Sequence, residues 1–202
     1  QQRLELLRET LEESVAIRLK ADVPLGVFLS GGIDSSLVAA LAVRHTDKLE
    51  TFSVAFKEPS YDESSHARRV AQHLGTRHHE ELLDVATMLQ VLPVIADHLS
   101  EPFADHSVVP TYLLSAFCKK HVTVALGGDG GDELFLGYPT FLAEKLAPSD
   151  VWRRMKILHM GRQLLQQAAR WLPVSHDNLA LDFKLQQFLG GALEKQPLRR
   201  HQ

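Results

Sequence analysis

Pro24-Leu25-Gly26-Val27-Phe28-Leu29-Ser30-Gly31-Gly32-Ile33-Asp34-Ser35-Ser36 decides the fold. A short apolar run enters a turn that carries two glycines, and the turn opens at once onto a helical pattern, Ser36 to Arg44, with Leu37, Val38 and Leu41. Such a run reads as a strand, and a strand feeding a helix through a tight turn begins a βαβ unit. The pattern recurs along the chain. Leu49 to Phe56 alternates through Thr51, Phe52, Ser53 and Val54 with β-favouring side chains, and leads to a helix over Ser64 to Leu74 that Gly75 stops. Pro110 to Lys120 reads as a helix with proline at its first position, followed by the valine-rich strand Val122 to Leu126. Before all of these, residues 3 to 20 place Leu4, Leu7, Leu11, Val15 and Leu19 on one stripe of an amphipathic helix. Strands with little alternation are buried on both faces, so the expected class is α/β, a doubly wound, mostly parallel sheet flanked by helices. Ligands of such sheets sit at the carboxyl ends of the strands.

After Pro148 the character changes to helix only. Val151 to Leu172 carries Met155, Leu158, Leu165 and Leu172 among Arg153, Arg154, Lys156, Arg162 and Arg170, basic residues that read as a solvated face. The chain therefore divides into a core with its leading helix, residues 1–147, and a helical extension, residues 148–202.

The 202 residues are 45% hydrophobic and 23% charged, the balance of a globular chain. With 22 basic and 25 acidic side chains, a formal charge of −3, no chain-wide positive field is available to hold a nucleic acid. Nowhere do 18 uncharged apolar residues follow one another, so no membrane partner is expected, and the polar amino terminus is unlike a secretory leader. The single cysteine, Cys118, has no partner for a disulfide or a thiolate zinc site. A cytoplasmic location follows as the expectation.

Two glycine-rich strand ends carry the chemistry. In Ser30-Gly31-Gly32-Ile33-Asp34-Ser35-Ser36, a helix amino terminus presents unpaired backbone N–H groups and a favourable dipole to an anion. Phosphate suits it: the glycines admit oxygens close to the backbone, Ser30, Ser35 and Ser36 offer hydroxyls, and Asp34 can hold magnesium against them. The plain alternative is a tight turn with a serine or aspartate helix cap. The loop lacks the lysine of a Walker A motif and the third glycine of a dinucleotide fingerprint, and Ser30 lacks the glycine two residues before it that a nucleophile elbow uses.

The second cluster, Gly127-Gly128-Asp129-Gly130-Gly131-Asp132-Glu133-Leu134-Phe135, sets three carboxylates beside four glycines after the valine-rich strand. Crowded like charges persist most readily where a cation joins them, and a divalent ion bridging to the phosphate of the first loop is one economical arrangement. The stretch also fits the nine-residue calcium repeat of parallel β-helices, but that architecture needs several stacked copies. Eleven histidines, among them adjacent His78 and His79 and the pair His98 and His106, show no ligand spacing and read as surface or hydrogen-bonded core residues.

Ser30-Gly31-Gly32-Ile33-Asp34-Ser35 resembles the S-G-G-x-D-S loop of the ATP pyrophosphatases, which include asparagine, argininosuccinate, GMP and NAD synthetases and some tRNA thiolases. Phe52-Ser53-Val54-Ala55-Phe56, Tyr61-Asp62-Glu63-Ser64, Glu101-Pro102-Phe103-Ala104-Asp105 and Gly128-Asp129-Gly130-Gly131-Asp132-Glu133-Leu134-Phe135, in this order, narrow the resemblance to the synthetase domain of glutamine-dependent asparagine synthetases. It implies an adenine nucleotide alpha hydrolase-like fold and two cofactors, ATP and Mg2+. Leu29, Val54, Gly127 and Gly128 then correspond to nucleotide contacts, with Ser30, Gly31, Gly32, Asp34, Ser35 and Ser36 around the pyrophosphate. Asp34 and Asp132 correspond to magnesium ligands, and Asp129, Asp132 and Glu133 to the catalytic carboxylates, Asp129 lying near the site of acyl-adenylate formation.

The implied reaction is adenylation of the aspartate side chain, then attack by ammonia to give asparagine. The resemblance further implies a glutaminase domain that supplies the ammonia, and a catalytic lysine past residue 202. The chain is expected to be a piece of such an enzyme, a possible homodimer. Three positions depart from the pattern: Gly127 for a common serine, Leu136 for a common glycine, and Ala116 where arginine is frequent. The first leaves the acceptor open, so another carboxylate, as in β-lactam-forming or polysaccharide-modifying amide synthetases, is an alternative. A non-catalytic nucleotide-binding scaffold is another, and a tRNA thiolase is disfavoured by the lone cysteine and the acidic balance.

Overall fold

The computed structural model describes residues 2–138, apart from residues 102, 104 and 106, together with residue 141. The helix expected over Val151 to Leu172 and the whole extension from residue 148 lie outside the described residues. Two compact units are distinguished, one ending at Asp129 and one beginning at Gly130. The first contains helix α1 (Gln2–Arg18), strand β1 (Leu25–Phe28), α2 (Ile33–Ala42), β2 (Glu50–Phe56), α3 (Ser64–Leu74), β3 (Arg77–Leu83), α4 (Val85–His98), α5 (Val108–Cys118) and β4 (Val124–Leu126). The second holds the short helix α6 (Gly131–Phe135).

All strand pairs are parallel, in the order β3-β2-β1-β4, with Gly26 beside Glu50 on one side and Ala125 on the other. The chain steps outward from β1 through β2 to β3, then returns to lay β4 on the free side of β1. The order therefore reverses between β1 and β4, where the two following loops leave a crevice at the carboxyl ends of the strands.

Alternation along β1 explains why the sheet is covered twice. Val27 and Leu29 enter a core with Val15 of α1, Ala39 and Leu41 of α2, and Ala67 and Ala71 of α3. Phe28 points the other way, into a second cluster with Phe52, Cys118 and Val122, closed by Leu114 and Phe117 of α5. Phe52 is completely buried, and burying one such side chain contributes about 2–3 kcal/mol. This is the doubly wound α/β arrangement expected from the sequence. Among the described residues, no helix is long and apolar enough to cross a membrane.

Three expectations need correction. The stripe of α1 is buried only in its second half: Val15 is buried and Leu11 and Leu19 pack against the core, whereas Leu4 is 71% exposed and Leu7 is exposed too. Periodicity tells which face of a helix is apolar, not how far its partner extends. Helix α2 begins at Ile33 rather than Ser36, because the turn ends at Gly32, whose carbonyl already accepts from the Ser36 amide at 3.0 Å. Helix α5 begins at Val108, which makes Pro110 its third residue; amides of the first turn have no intrahelical acceptor, so a proline is tolerated there as well.

Strand β3 and helix α4 lie in a stretch where the sequence reading placed no element. Arg77-His78-His79-Glu80-Glu81 is too polar to read as a strand, yet it pairs with β2 along its whole length. Its histidines supply the reason. His78 meets the hydroxyls of Thr51 and Ser53, at 3.0 Å from Nδ1 and 3.2 Å from Nε2, and burial pushes its pKa below the ordinary histidine value despite the neighbouring Glu80. His79 bonds Glu50 at 2.5 Å and stacks on the Phe52 ring with centroids 5.1 Å apart. Helix α4 then starts from Asp84, whose carboxylate accepts from the Thr87 amide at 2.7 Å.

Candidate active site

The loops that follow β1 and β4 abut. A methyl in place of the Gly128 hydrogen would stand 2.8 Å from the Ser35 amide nitrogen and 3.0 Å from Asp34 Cβ and carbonyl carbon, so only glycine lets the β4 loop rest on the first turn of α2. Between and above these loops lies a cleft of 350 Å³, within the size range of small-ligand sites.

Its floor is built for an anion. Gly32 caps α2 in an extended conformation and offers no side-chain acceptor, so the amides opening the helix are not spent on a side-chain cap. The hydroxyls beside them are held in place: Ser30 Oγ and Ser35 Oγ lie 2.9 Å apart, the Gly32 amide donates to Ser30 Oγ at 3.2 Å, and the Ser30 amide donates to Ser35 Oγ at 3.3 Å. Asp34 opens onto the same cleft from the first helical turn. Its carboxylate, with hard oxygens, suits a magnesium ion that takes its remaining ligands from phosphates and water.

Leu29, Ser30, Gly32, Asp34, Ser35 and Val54, expected around the nucleotide, line the cleft, as do Gly127, Gly128 and Asp129 at its far side. Gly31 and Ser36 are not part of the lining. Gly31, at φ +84°, lies behind the loop against α3, and the Ser36 hydroxyl is buried without a hydrogen-bond partner. The reading from sequence missed the upper walls, formed by Phe56, Tyr61 and Glu63 on one side and Thr111 and Leu114 of α5 on the other. Tyr61 and Glu63 stand inside a quoted motif, so a signal was present for them; α5 offered none beyond its apolar pattern.

Asp132 and Glu133 belong to the second unit, in the first turn of α6. The Asp132 carboxylate lies directly over Gly137, where any side chain would collide with it, and the Gly137 amide donates to the Asp132 carbonyl at 2.9 Å. The Tyr138 phenol donates to Glu133 at 2.6 Å and holds that carboxyl below its usual pKa.

Leu136 ends α6 in the left-handed conformation, φ 59° and ψ 39°, and is 66% exposed. The glycine expected by resemblance at this position thus has a backbone reason, since a Cβ is strained there. Leu136→Gly is expected to stabilise the helix end by about 1 kcal/mol. A urea titration reads this as a higher midpoint, and an unchanged or lower midpoint would contradict it.

The asparagine synthase family model matches residues 6–200. Asparagine synthetase [glutamine-hydrolyzing] 1 of Bacillus subtilis is 40% identical over 132 residues, which cover 65% of this chain and 21% of that protein. Asparagine synthetase [glutamine-hydrolyzing] 3 of Arabidopsis thaliana is 35% identical over 170 residues, 76% of this chain and 29% of that protein. The chain thus spans well under half the length of these curated relatives. Among solved structures, an NH3-dependent NAD synthetase from Campylobacter jejuni aligns with a TM-score of 0.45 at 17% identity, covering 66% of this chain and 60% of that one.

Proposed function

The chain belongs to the asparagine synthase family, and we propose that the full-length protein uses ATP to convert the side-chain carboxylate of aspartate into an amide. The abutment of Gly128 on the first turn of α2 carries this reading, because it joins an anion-binding helix terminus and the Asp129 carboxylate in one cleft.

A carboxylate oxygen of the acceptor attacks the α-phosphorus of ATP, and the bond from that phosphorus to the bridging oxygen of pyrophosphate breaks. Ammonia then attacks the acyl carbon, a C–N bond forms, AMP leaves with the electron pair of the C–O bond, and the nitrogen sheds a proton. The amides and hydroxyls of Ser30 to Ser35 orient the phosphates and meet the charge that grows on the leaving pyrophosphate, a task of positioning and electrostatics. Leu29 and Val54 pack beside the nucleoside, and the backbone of Gly127 and Gly128 borders it. Asp34 and Asp132 are the residues that would hold Mg2+, which when bound neutralises phosphate charge. Asp129 and Glu133 are the residues that the family pattern assigns to the acceptor and the adenylate. Glutamine hydrolysed in a further domain of the full-length protein is the ammonia source.

A second acceptor merits a test because of Gly127. A side chain there would collide with the Asp129 carboxylate in its present position, so the serine common in this family and this placement of Asp129 do not coexist. Supplying ATP, magnesium, ammonia and a panel of carboxylates to the full-length protein, and following AMP, decides between them. Aspartate alone releasing AMP is the expected result; release with another carboxylate only would move the protein to a related amide synthetase. ATP binding without pyrophosphate release under any acceptor would leave a nucleotide-binding scaffold.

A further inference from the structure

We propose that Asp62 is a positioning residue for the phosphate-binding loop, acting through the first turn of α3; the ligand named here rests on the function proposed above, the mechanical claim does not.

The carboxylate of Asp62 ties three places together. Its Oδ1 accepts from the Phe56 amide at the end of β2, at 3.3 Å, and from the Ser64 amide at the start of α3, at 3.2 Å. Its Oδ2 accepts from the Ser64 hydroxyl at 3.0 Å. That hydroxyl, 1% exposed with its residue, also accepts from Arg68 Nη2 at 2.7 Å, and Arg68 Nε reaches Glu80 of β3 at 3.0 Å. Glu63, in the helix cap position, makes no cap bond with its own side chain, so Asp62 does this work from one residue earlier. Burial opposes ionisation of Asp62, but the Ser64 amide and hydroxyl, the Phe56 amide and the charge of Arg68 outweigh it and hold the carboxyl below its ordinary pKa.

What Asp62 fixes is the surface on which the loop rests. A methyl on Gly31 would lie 2.6 Å from Ala67 N and from His66 C and Cβ, so the Gly31 backbone sits directly on the first turn of α3. Ala67 in that turn is fully buried and lines the cleft. The same anchored segment presents Tyr61 and Glu63 to the cleft. If the Ser64 amide loses its acceptor, the turn beneath Gly31 frays, and the amides of Gly32 to Ser35 lose their alignment.

The full-length protein is compared with Asp62→Ala, Asp62→Asn and Asp84→Ala, the last removing a helix cap of the same type from α4. Amide hydrogen exchange over residues 30–36, without nucleotide, should be at least tenfold faster in Asp62→Ala and unchanged in Asp84→Ala. With ATP, Asp62→Ala should lower kcat/KM for ATP at least tenfold, with kcat falling as well as KM rising, because the same amides meet the charge on the leaving pyrophosphate. Asp62→Asn, which keeps an oxygen for both amides, should return both readings to within threefold of wild type. Loop exchange within twofold of wild type in Asp62→Ala, or an equal change in Asp84→Ala, would overturn the proposal. Should Asp62→Ala not fold, Asp62→Glu, which keeps the charge but carries the carboxylate one methylene away from the Phe56 and Ser64 amides, is read by the same exchange, with no change again counting against the proposal. Failure of the wild type to turn over ATP with any carboxylate would sink the proposed function, whereas the exchange measurement would still decide the role of Asp62.

Discussion

Asp34→Ala and Asp132→Ala in the full-length protein should each abolish aspartate-dependent exchange of pyrophosphate with ATP, a loss of roughly a hundredfold to a thousandfold or more. The size follows from what each carboxylate is asked to do. Losing a ligand to a cation that neutralises phosphate charge removes several kcal/mol of transition-state stabilisation, and each 1.4 kcal/mol is about tenfold in rate. The competing structural role is much smaller. Asp34 sits in the first turn of α2, where a negative charge favours the helix dipole by about 0.3–1 kcal/mol. Were that its whole contribution, Asp34→Ala would move a denaturation midpoint slightly and leave exchange near the wild-type rate. Asp132 is placed likewise in the first turn of α6, over a glycine that keeps space for its carboxylate. Exchange assays and denaturant titrations on the same two variants separate the roles: a large kinetic loss with a small stability change supports ligation, and wild-type exchange in either variant removes the assignment for that residue.

How much of this was legible in the sequence depended on how many neighbours an element needs. Strands β1 and β4 contact the core on both faces, and their valine- and leucine-rich runs announce it. Helix α3 carries its own stop, because Gly75 adopts φ +68° where other residues are strained. Strand β3 is different in kind: its polar residues become strand only through the ladder to β2 and through Thr51, Ser53 and Glu50, which lie some 25 to 29 positions earlier and meet His78 and His79 only in the fold. Helix α4 carries Pro93 inside it, a residue that argues locally against a helix. The site shows the same division. Glycines and carboxylates at two strand ends stood out because an anion-binding turn calls for those residue types, and Ser30, Gly32, Asp34, Gly128 and Asp129 line one cleft. The walls were less so: Phe56 and Tyr61 stand inside quoted motifs that gave them no role, and Thr111 and Leu114 look like ordinary helix residues until β2, the segment after it and α5 converge.

Gly128→Ala should be the most damaging single methyl in the cleft. It is expected to cost about 1–3 kcal/mol of stability, the range for overpacking a close contact, and to weaken ATP binding at least tenfold. The methyl would meet backbone and a Cβ, Ser35 N at 2.8 Å and Asp34 at 3.0 Å, so no flexible side chain can swing aside and the two loops must part. Parting them moves the β4 loop and Asp129 away from the anion-binding amides, and that converts a packing cost into a binding cost. Gly75→Ala provides the contrast. Gly75 has positive φ but open space around it, so its substitution costs about 1 kcal/mol through backbone strain alone and displaces nothing near the cleft. Isothermal titration with ATP and thermal melts on both variants should show Gly75→Ala destabilised with normal ATP affinity, and Gly128→Ala impaired in both. Equal ATP affinity in the two variants would mean that the contact between the loops is only structural, and the case for a shared nucleotide site would fail with it.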